Sequence, residues 1–135
     1  MRLIIASLLA LAATLAQAQQ SSLVDVSGSI AYRQRIALPP GAIAVVQVVD
    51  TSRADAPRLL AEKRYGLEGA QVPVPFVLTV DRDLVAPGAR IVVRASIERG
   101  KKLLFTTDRI YPVLTNDQPA RADLVLVMAG GGRAP

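Results

Sequence analysis

The sequence predicts an all-β fold, a single antiparallel β-sandwich of about seven short strands. Apolar and polar residues alternate with period two through most of the chain after residue 22, the pattern of half-buried strands. Turn-forming pairs such as Pro40-Gly41 and Pro87-Gly88 separate these segments, at the spacing of type II turns. No segment carries a strong apolar stripe at helical spacing. Short strands with regular turn punctuation and no amphipathic helix are typical of a sandwich.

The individual elements follow from local patterns. Residues 24–32 alternate cleanly, and residues 43–49 form a nearly continuous apolar run that suits a central strand. Residues 59–65 fit a helix or a strand, but their short length between turn signals favours a strand. We expect seven strands, at residues 24–32, 43–49, 59–65, 72–80, 91–97, 103–105 and 124–128. Residues 81–86 are expected to form one short turn, and residues 107–117 to be irregular.

A short echo links two of these strands. Residues 40–46 and 87–93 share a Pro-Gly-Ala start and a Val-Val pair at the same spacing. Two equivalent strands in facing sheets would explain the echo, and chance explains so short a match equally well.

The first eighteen residues predict an exported protein. Arg2 gives a positive start, residues 3–15 are almost wholly apolar, and Ala16-Gln17-Ala18 forms a small-x-small cleavage site. These features are typical of a secretory signal peptide. The predicted organisation is therefore a signal peptide at 1–18, a flexible tail at 19–22, one domain at 23–128, and a disordered glycine-rich tail at 129–135. No later apolar run has the roughly 20 residues that span a bilayer.

Composition excludes several classes of site. The chain has no histidine and no cysteine, which removes imidazole and thiolate metal sites, disulfides, redox motifs and nucleophile pairs that need either residue. We therefore expect no cofactor, no metal and no enzymatic activity. The net charge of +5 comes from basic residues spread along the chain, and we interpret it mainly as a source of solubility. A weaker alternative is attraction to anionic lipid or lipopolysaccharide, and nucleic acid is not expected to be a partner.

Carboxylates are the remaining candidates for catalysis. Asp50 and Asp55 flank an arginine in one polar loop, and Asp108 follows two threonines at a strand end. Side chains that bond to the backbone of their own turns explain both groups without any catalysis. Asp81-Arg82-Asp83 resembles the start of a calcium loop, but the residues required at later positions are absent. We expect a turn capped by aspartate there.

The candidate partner-binding site is a strand edge. The strand at 72–80 is apolar on one phase and carries two prolines on the other. Proline cannot donate to a β-ladder, so this strand is expected at a sheet edge or beside a bulge. Such an edge is either protected by its prolines or flanks a groove that accepts a peptide. The residues predicted to form the site are Val72, Pro73, Val74, Pro75 and Phe76.

Several blocks of sequence resemble a known family, and they follow one another in the expected order. They are VSGSIAYR at 26–33, LPPGA at 38–42, VVDTSRADAP at 48–57, VPVPF at 72–76, RASI at 94–97, LLFTTD at 103–108 and YPVLT at 111–115. Together they are similar to the YbaY-like lipoproteins, grouped with the type III secretion lipoprotein chaperones of the YscW pilotin type. The resemblance implies a small β-sandwich in the periplasm or at the outer membrane.

For the pilotin members, the resemblance further implies binding of a secretin's C-terminal segment. The family is typically lipidated at a cysteine after the leader, where this chain has Ala18-Gln19. We therefore expect an unlipidated, monomeric protein, in the periplasm or peripheral to the outer membrane, that binds a secretin-type or other outer-membrane protein segment. A carbohydrate- or lipopolysaccharide-binding module is the alternative, and an enzyme that uses Asp50, Asp55 or Asp108 is a third hypothesis.

Overall fold

The computed structural model describes residues 22–130, which form one strongly curled β-sheet. Its strands are β1 (Leu23–Tyr32), β2 (Ile43–Asp50), β3 (Arg58–Gly66), β4 (Val74–Asp81), β5 (Ile91–Arg99), β6 (Lys102–Thr106), β7 (Tyr111–Pro112) and β8 (Arg121–Met128). One 3-10 turn, Arg82–Leu84, follows β4. The predicted signal peptide and most of both predicted tails lie outside the described residues.

The strands follow the order β3-β2-β5-β6-β8-β1-β4, and β7 pairs with β5. The all-β prediction is confirmed, but two separate facing sheets are not what forms. The short strand β6 pairs with β5 on one side and with β8 on the other, so the two halves remain one sheet. Irregularities at Val48/Val49 and at Ile97/Glu98 are the kind that increase local twist. The sheet therefore curls into a nearly closed, barrel-like form.

The expectation of a wholly antiparallel sheet is wrong for one pair of strands. β1 pairs with β4 in antiparallel register but with β8 in parallel register, with Ile30 opposite Leu124. Apolar periodicity shows which face of a strand is buried, and it carries no information about the direction of the neighbouring strand. The first and last strands of the domain are thus direct neighbours.

Most local predictions are confirmed. All seven predicted strands form, and residues 59–65 lie within a strand. The turns before β2 and β5 have Gly41 and Gly88 at φ of 84° and 75°, as type II geometry requires. Asp81 accepts a hydrogen bond from the Asp83 amide and caps the 3-10 turn. The two-residue strand β7 lies in the segment expected to be irregular.

The echoed segments do not lie in facing sheets. They lead into β2 and β5, which are antiparallel neighbours in the same part of the sheet, with Val48 opposite Val93. The two type II turns therefore lie at opposite ends of this antiparallel pair of central strands. The alanine that follows each turn glycine, Ala42 or Ala89, is buried.

The core lies inside the curl and is aliphatic. Alternate residues of β1, β4, β5 and β8 point into it. The largest fully buried side chains include Phe76, Ile30, Ile91, Ile97, Leu124 and Leu126. Tyr32 and Phe105 stack near one end of the interior, with ring centroids 4.1 Å apart. No polar or charged side chain within residues 22–130 is buried, so apolar packing holds the interior together.

Candidate functional site

The predicted site lies at the free edge of the curled sheet. β4 ends the strand order and β3 ends it on the opposite side, so the placement of the proline-bearing strand at an edge is confirmed. Pro73 and Pro75 are exposed, and Val72 is half-buried. The curl brings the edges of β3 and β4 towards each other, and a narrow gap separates them.

A single tyrosine bridges this gap. The Tyr65 hydroxyl on β3 accepts a hydrogen bond from the Val77 amide at 3.0 Å and donates one to the Val77 carbonyl at 3.1 Å. Both polar backbone groups of Val77 therefore point away from β1. In a strand, the backbone groups of alternate residues point to the same side, so those of Pro75 and Thr79 also face the gap.

The orientation of the prolines explains why this edge can stay open. A proline at position 75 has no amide hydrogen to present to the gap, and the next outward amide, that of Val77, is already bonded to Tyr65. Few donors therefore remain for an added strand, and the edge is protected against pairing with another chain. Any partner at this edge would bind mainly through side chains.

The five predicted site residues divide between surface and core. Val74 and Phe76 are 7% and 2% exposed, because their phase of β4 points inward. Phe76 lies opposite Gly28 in the register, and its ring covers the space left by that glycine. Their side chains therefore hold the strand in place and are not accessible to a partner. The accessible apolar surface consists of Pro73, Pro75 and Val77, which is 47% exposed.

The loop that leads into this edge is fixed by Gln71. Its side-chain oxygen accepts a hydrogen bond from the Leu38 amide at 2.8 Å, and its amide nitrogen donates to the Gly69 carbonyl at 3.2 Å. These contacts join the loop before β4 to the loop after β1. The surface at residues 73–77 is therefore presented by ordered backbone on both sides.

Sequence reasoning missed a second apolar surface, on the outside of the sheet. Leu59, Val49, Val92 and Pro112 are consecutive cross-strand neighbours on β3, β2, β5 and β7, and Val49, only 1% exposed, is covered within this row. Ile110, which is 79% exposed, continues this outer apolar row. Val92, Ile110 and Pro112 line a groove of about 280 Å³. The signal was present in the apolar residues on the outward phases of β2 and β5.

Polar side chains cover the neighbouring part of the outer face. Gln47 donates to Glu62 at 2.6 Å and accepts from Arg94 at 2.8 Å, and Arg64 pairs with Glu98. These residues satisfy one another across β3, β2 and β5. The network behaves as an exposed cross-strand support, and it offers no unpaired group arranged for catalysis.

The carboxylates suggested for an enzyme do not converge. Asp50 accepts a hydrogen bond from the Ser52 amide at 2.9 Å, and hydrogen bonding to Ser52, with the nearby Arg58 charge, lowers the pKa of its carboxyl. The lowered pKa keeps the Asp50 carboxyl ionised, and the hydrogen bond from Ser52 closes the turn. Asp108 lines a different depression, beside Arg33 and Arg109. Within residues 22–130 no group of three or more acidic side chains could hold a metal ion.

The aromatic residues give no support to the carbohydrate alternative. Tyr32, Phe76 and Phe105 are buried. Tyr65 and Tyr111 are half-buried, and each hydroxyl bonds to the backbone of another strand. None of these five rings forms the open platform on which sugars usually stack.

Among the described residues no helix has the length and apolar character to cross a membrane.

Comparison with known proteins connects this architecture to secretion. The family model described as "Type III secretion system lipoprotein chaperone (YscW)" matches residues 21–126. The chain belongs to the YscW family. Its match spans all eight strands except the last two residues of β8.

Two individual proteins are similar to this YscW-family chain. "Uncharacterized lipoprotein YbaY" of Escherichia coli K12 is 45% identical over 104 residues, which cover 76% of this chain and 54% of the relative. The chain thus spans about half the length of that relative. A solved structure of an alternative pilotin from the type II secretion system of Vibrio cholerae superposes with a TM-score of 0.77 at 36% identity. It covers 81% of this chain and 99% of the pilotin.

Proposed function

We propose that this protein is a non-enzymatic chaperone of the bacterial envelope that binds a segment of a secretin-type outer-membrane protein. The observation that carries this proposal is the match to a pilotin structure over 99% of that protein's length. The YscW family description points the same way. The lack of converging carboxylates and the absence of histidine and cysteine support a binding role over catalysis.

The proposed route to the envelope is export. Residues 1–18 act as a cleaved signal peptide, residues 19–22 form a tail, and residues 23–128 form the binding domain, with a tail at 129–135. Because the chain has no cysteine, it carries no thioether-linked lipid within this sequence. We propose that the protein works as a monomer in the periplasm or on the periplasmic side of the outer membrane.

The proposed contact surface is the β4 edge at residues 72–76, extended to Val77. Pro73, Pro75 and Val77 supply exposed apolar area, while Val74 and Phe76 fix the strand from inside. The outward backbone at this edge has few free donors, so the partner is recognised through apolar side chains and not through strand addition. This mode suits an amphipathic segment that presents one apolar face.

Site-specific crosslinking in cells tests the proposal. Photoreactive residues are placed singly at Pro75 and Val77, with matched positions at Ile110 on the outer apolar row and at Asp55 in a distant exposed loop. Mass spectrometry then identifies the crosslinked proteins. We expect an outer-membrane protein, a secretin above all, at positions 75 and 77 only.

Two results would contradict the proposal in different ways. Crosslinks to the same partner from Ile110 alone would move the site to the outer apolar row and keep the function. Absence of crosslinks at all four positions would contradict the proposed chaperone function.

As a functional check, Val77→Asp places a charge on the exposed edge, where the side chain is 47% exposed, and should abolish capture of the partner.

A further inference from the structure

One end of the curled sheet gathers the loops that follow β1, β3 and β5. β8 runs parallel to β1, β5 and β8 are both antiparallel to β6, and β3 and β5 are both antiparallel to β2. Strands β1, β3, β5 and β8 therefore all run towards this end. The loops at residues 33–42 and 67–73 and the hairpin at 99–102 therefore lie together there. The first of these loops lies next to the hairpin, since a Cβ built on Gly41 would lie 3.9 Å from the Arg99 side chain.

This end is strongly cationic. Its loops contain five exposed basic residues and one carboxylate, that of Glu68. The basic residues, which we call the cationic end, are Arg33, Arg35, Arg99, Lys101 and Lys102. Within residues 22–130 no salt bridge involves any of the five. Asp108 and Arg109 border Arg33 from the side, and their charges offset each other.

The opposite end has no such imbalance. Its loops, at residues 51–57, 82–90 and 113–120, contain three basic residues, Arg53, Arg82 and Arg90, and three acidic residues, Asp55, Asp83 and Asp117. The positive charge of the described domain is therefore concentrated at one pole. Separation of this kind orients a protein towards an anionic surface.

Exposed apolar side chains accompany the cations. Ile36, Leu103 and Met128 are 49%, 44% and 44% exposed. The backbone around Ile36 is anchored at two points. The Tyr32 hydroxyl donates to the Ile36 carbonyl at 2.7 Å, and the amide of the buried Leu38 donates to the Gln71 side chain. These anchors hold the Ile36 side chain at the surface, next to Arg35.

We propose that the cationic end docks on a membrane surface rich in anionic phospholipid. Lysine and arginine near such a surface are attracted by the lipid phosphates, and exposed apolar side chains enter the interface between headgroups and acyl chains. Together the two interactions hold the cationic end at the membrane surface. The docking end meets the β4 side-chain surface at Pro73, whereas Pro75 and Val77 lie further along β4, so these two residues stay accessible to a partner while the domain lies on the membrane.

Vesicle flotation tests this docking. The protein is expressed from its full-length sequence, purified as the cell produces it, and mixed with vesicles of phosphatidylcholine alone or with added phosphatidylglycerol. We expect binding only to the anionic vesicles, and loss of binding at high ionic strength. The triple variant Arg35→Gln, Lys101→Gln, Lys102→Gln should bind roughly 100-fold more weakly.

A matched variant separates local charge from net charge. Arg53→Gln, Arg82→Gln, Arg90→Gln removes the same number of cations from the opposite end, and we expect its binding to change by less than about threefold. Ile36→Ser keeps every charge and should weaken binding to anionic vesicles several-fold. Circular dichroism confirms that each variant is folded.

Three outcomes would overturn the docking proposal. They are equal binding to neutral vesicles, equal loss in the two triple variants, and no binding of the unmodified protein to anionic vesicles. None of these outcomes bears on crosslinking at Pro75 and Val77. Failure of membrane docking is therefore distinguishable from failure of the proposed chaperone function.

Discussion

At the scale of single residues, Gly28 is the position where the fold tolerates no side chain. A Cβ built there would lie 1.7 Å from the Ala122 carbonyl oxygen on the parallel neighbour β8 and 3.0 Å from the Phe76 ring. Both contacts are closer than van der Waals packing permits, and one of them is to backbone that cannot move alone. The glycine thus lets three strands approach closely.

Gly28→Ala should therefore destabilise the protein by about 3 kcal/mol or more, since overpacking against backbone forces the strands apart. Urea unfolding followed by circular dichroism measures the change. Gly66→Ala is the matched control, because Gly66 also lies in a strand and a Cβ there meets nothing within 4 Å. Equal effects of the two substitutions would show that the close approach at Gly28 is not what limits stability.

At the scale of elements, β4 combines two kinds of edge protection, the prolines and the Tyr65 bridge. The sequence predicted the first, because proline has a fixed backbone chemistry wherever it stands. It did not predict the second, because Tyr65 is brought to Val77 only by the curl of the whole sheet. The inclusion of Phe76 in the predicted surface site is a different error, because the strand period alone places Phe76 with the buried residues.

Removal of the bridge tests its role. Tyr65→Phe keeps the ring and deletes the hydroxyl that bonds to both backbone groups of Val77. We expect faster hydrogen exchange at the Val77 amide and a loss of about 1 kcal/mol in unfolding free energy. Unchanged exchange at Val77, measured by NMR, would mean that solvent replaces the tyrosine without cost.

Restoring a donor at the edge should have a different effect. Pro75→Thr adds an amide hydrogen that points into the gap, and an exposed edge with donors is a template for pairing with another chain. We expect concentration-dependent self-association by light scattering. Pro57→Thr, in an exposed loop, controls for the loss of a proline, and association of both variants would point to a general loss of rigidity.

At the scale of the whole molecule, the sequence predicted the strands and not their partners. Seven strands follow from local periodicity, but the single curled sheet depends on β6 joining two halves and on β8 lying parallel to β1. These pairings join residues far apart in the chain, and no local pattern encodes them. The apolar residues on the outward phases of β2 and β5 were present in the sequence, but they form a row only when four strands are in register.

The central position of β8 makes a prediction about the whole fold. β8 lies between β6 and β1 and buries Ala122, Leu124 and Leu126. A chain that ends at residue 119 loses this strand and should show no cooperative unfolding transition, because a split sheet exposes its core. A chain that ends at residue 130 is the control and should unfold like the chain that ends at residue 135. A cooperative transition in the shorter chain would contradict the central role of β8.

The parallel pairing of β1 with β8 has a consequence for biosynthesis. If the chain crosses the inner membrane with its amino terminus first, β1 emerges early but gains its two neighbours only when residues 74–81 and then 121–128 have followed. The sheet cannot be completed on the far side while the chain is still threading through the channel. The topology thus delays completion of the sheet until translocation is nearly finished.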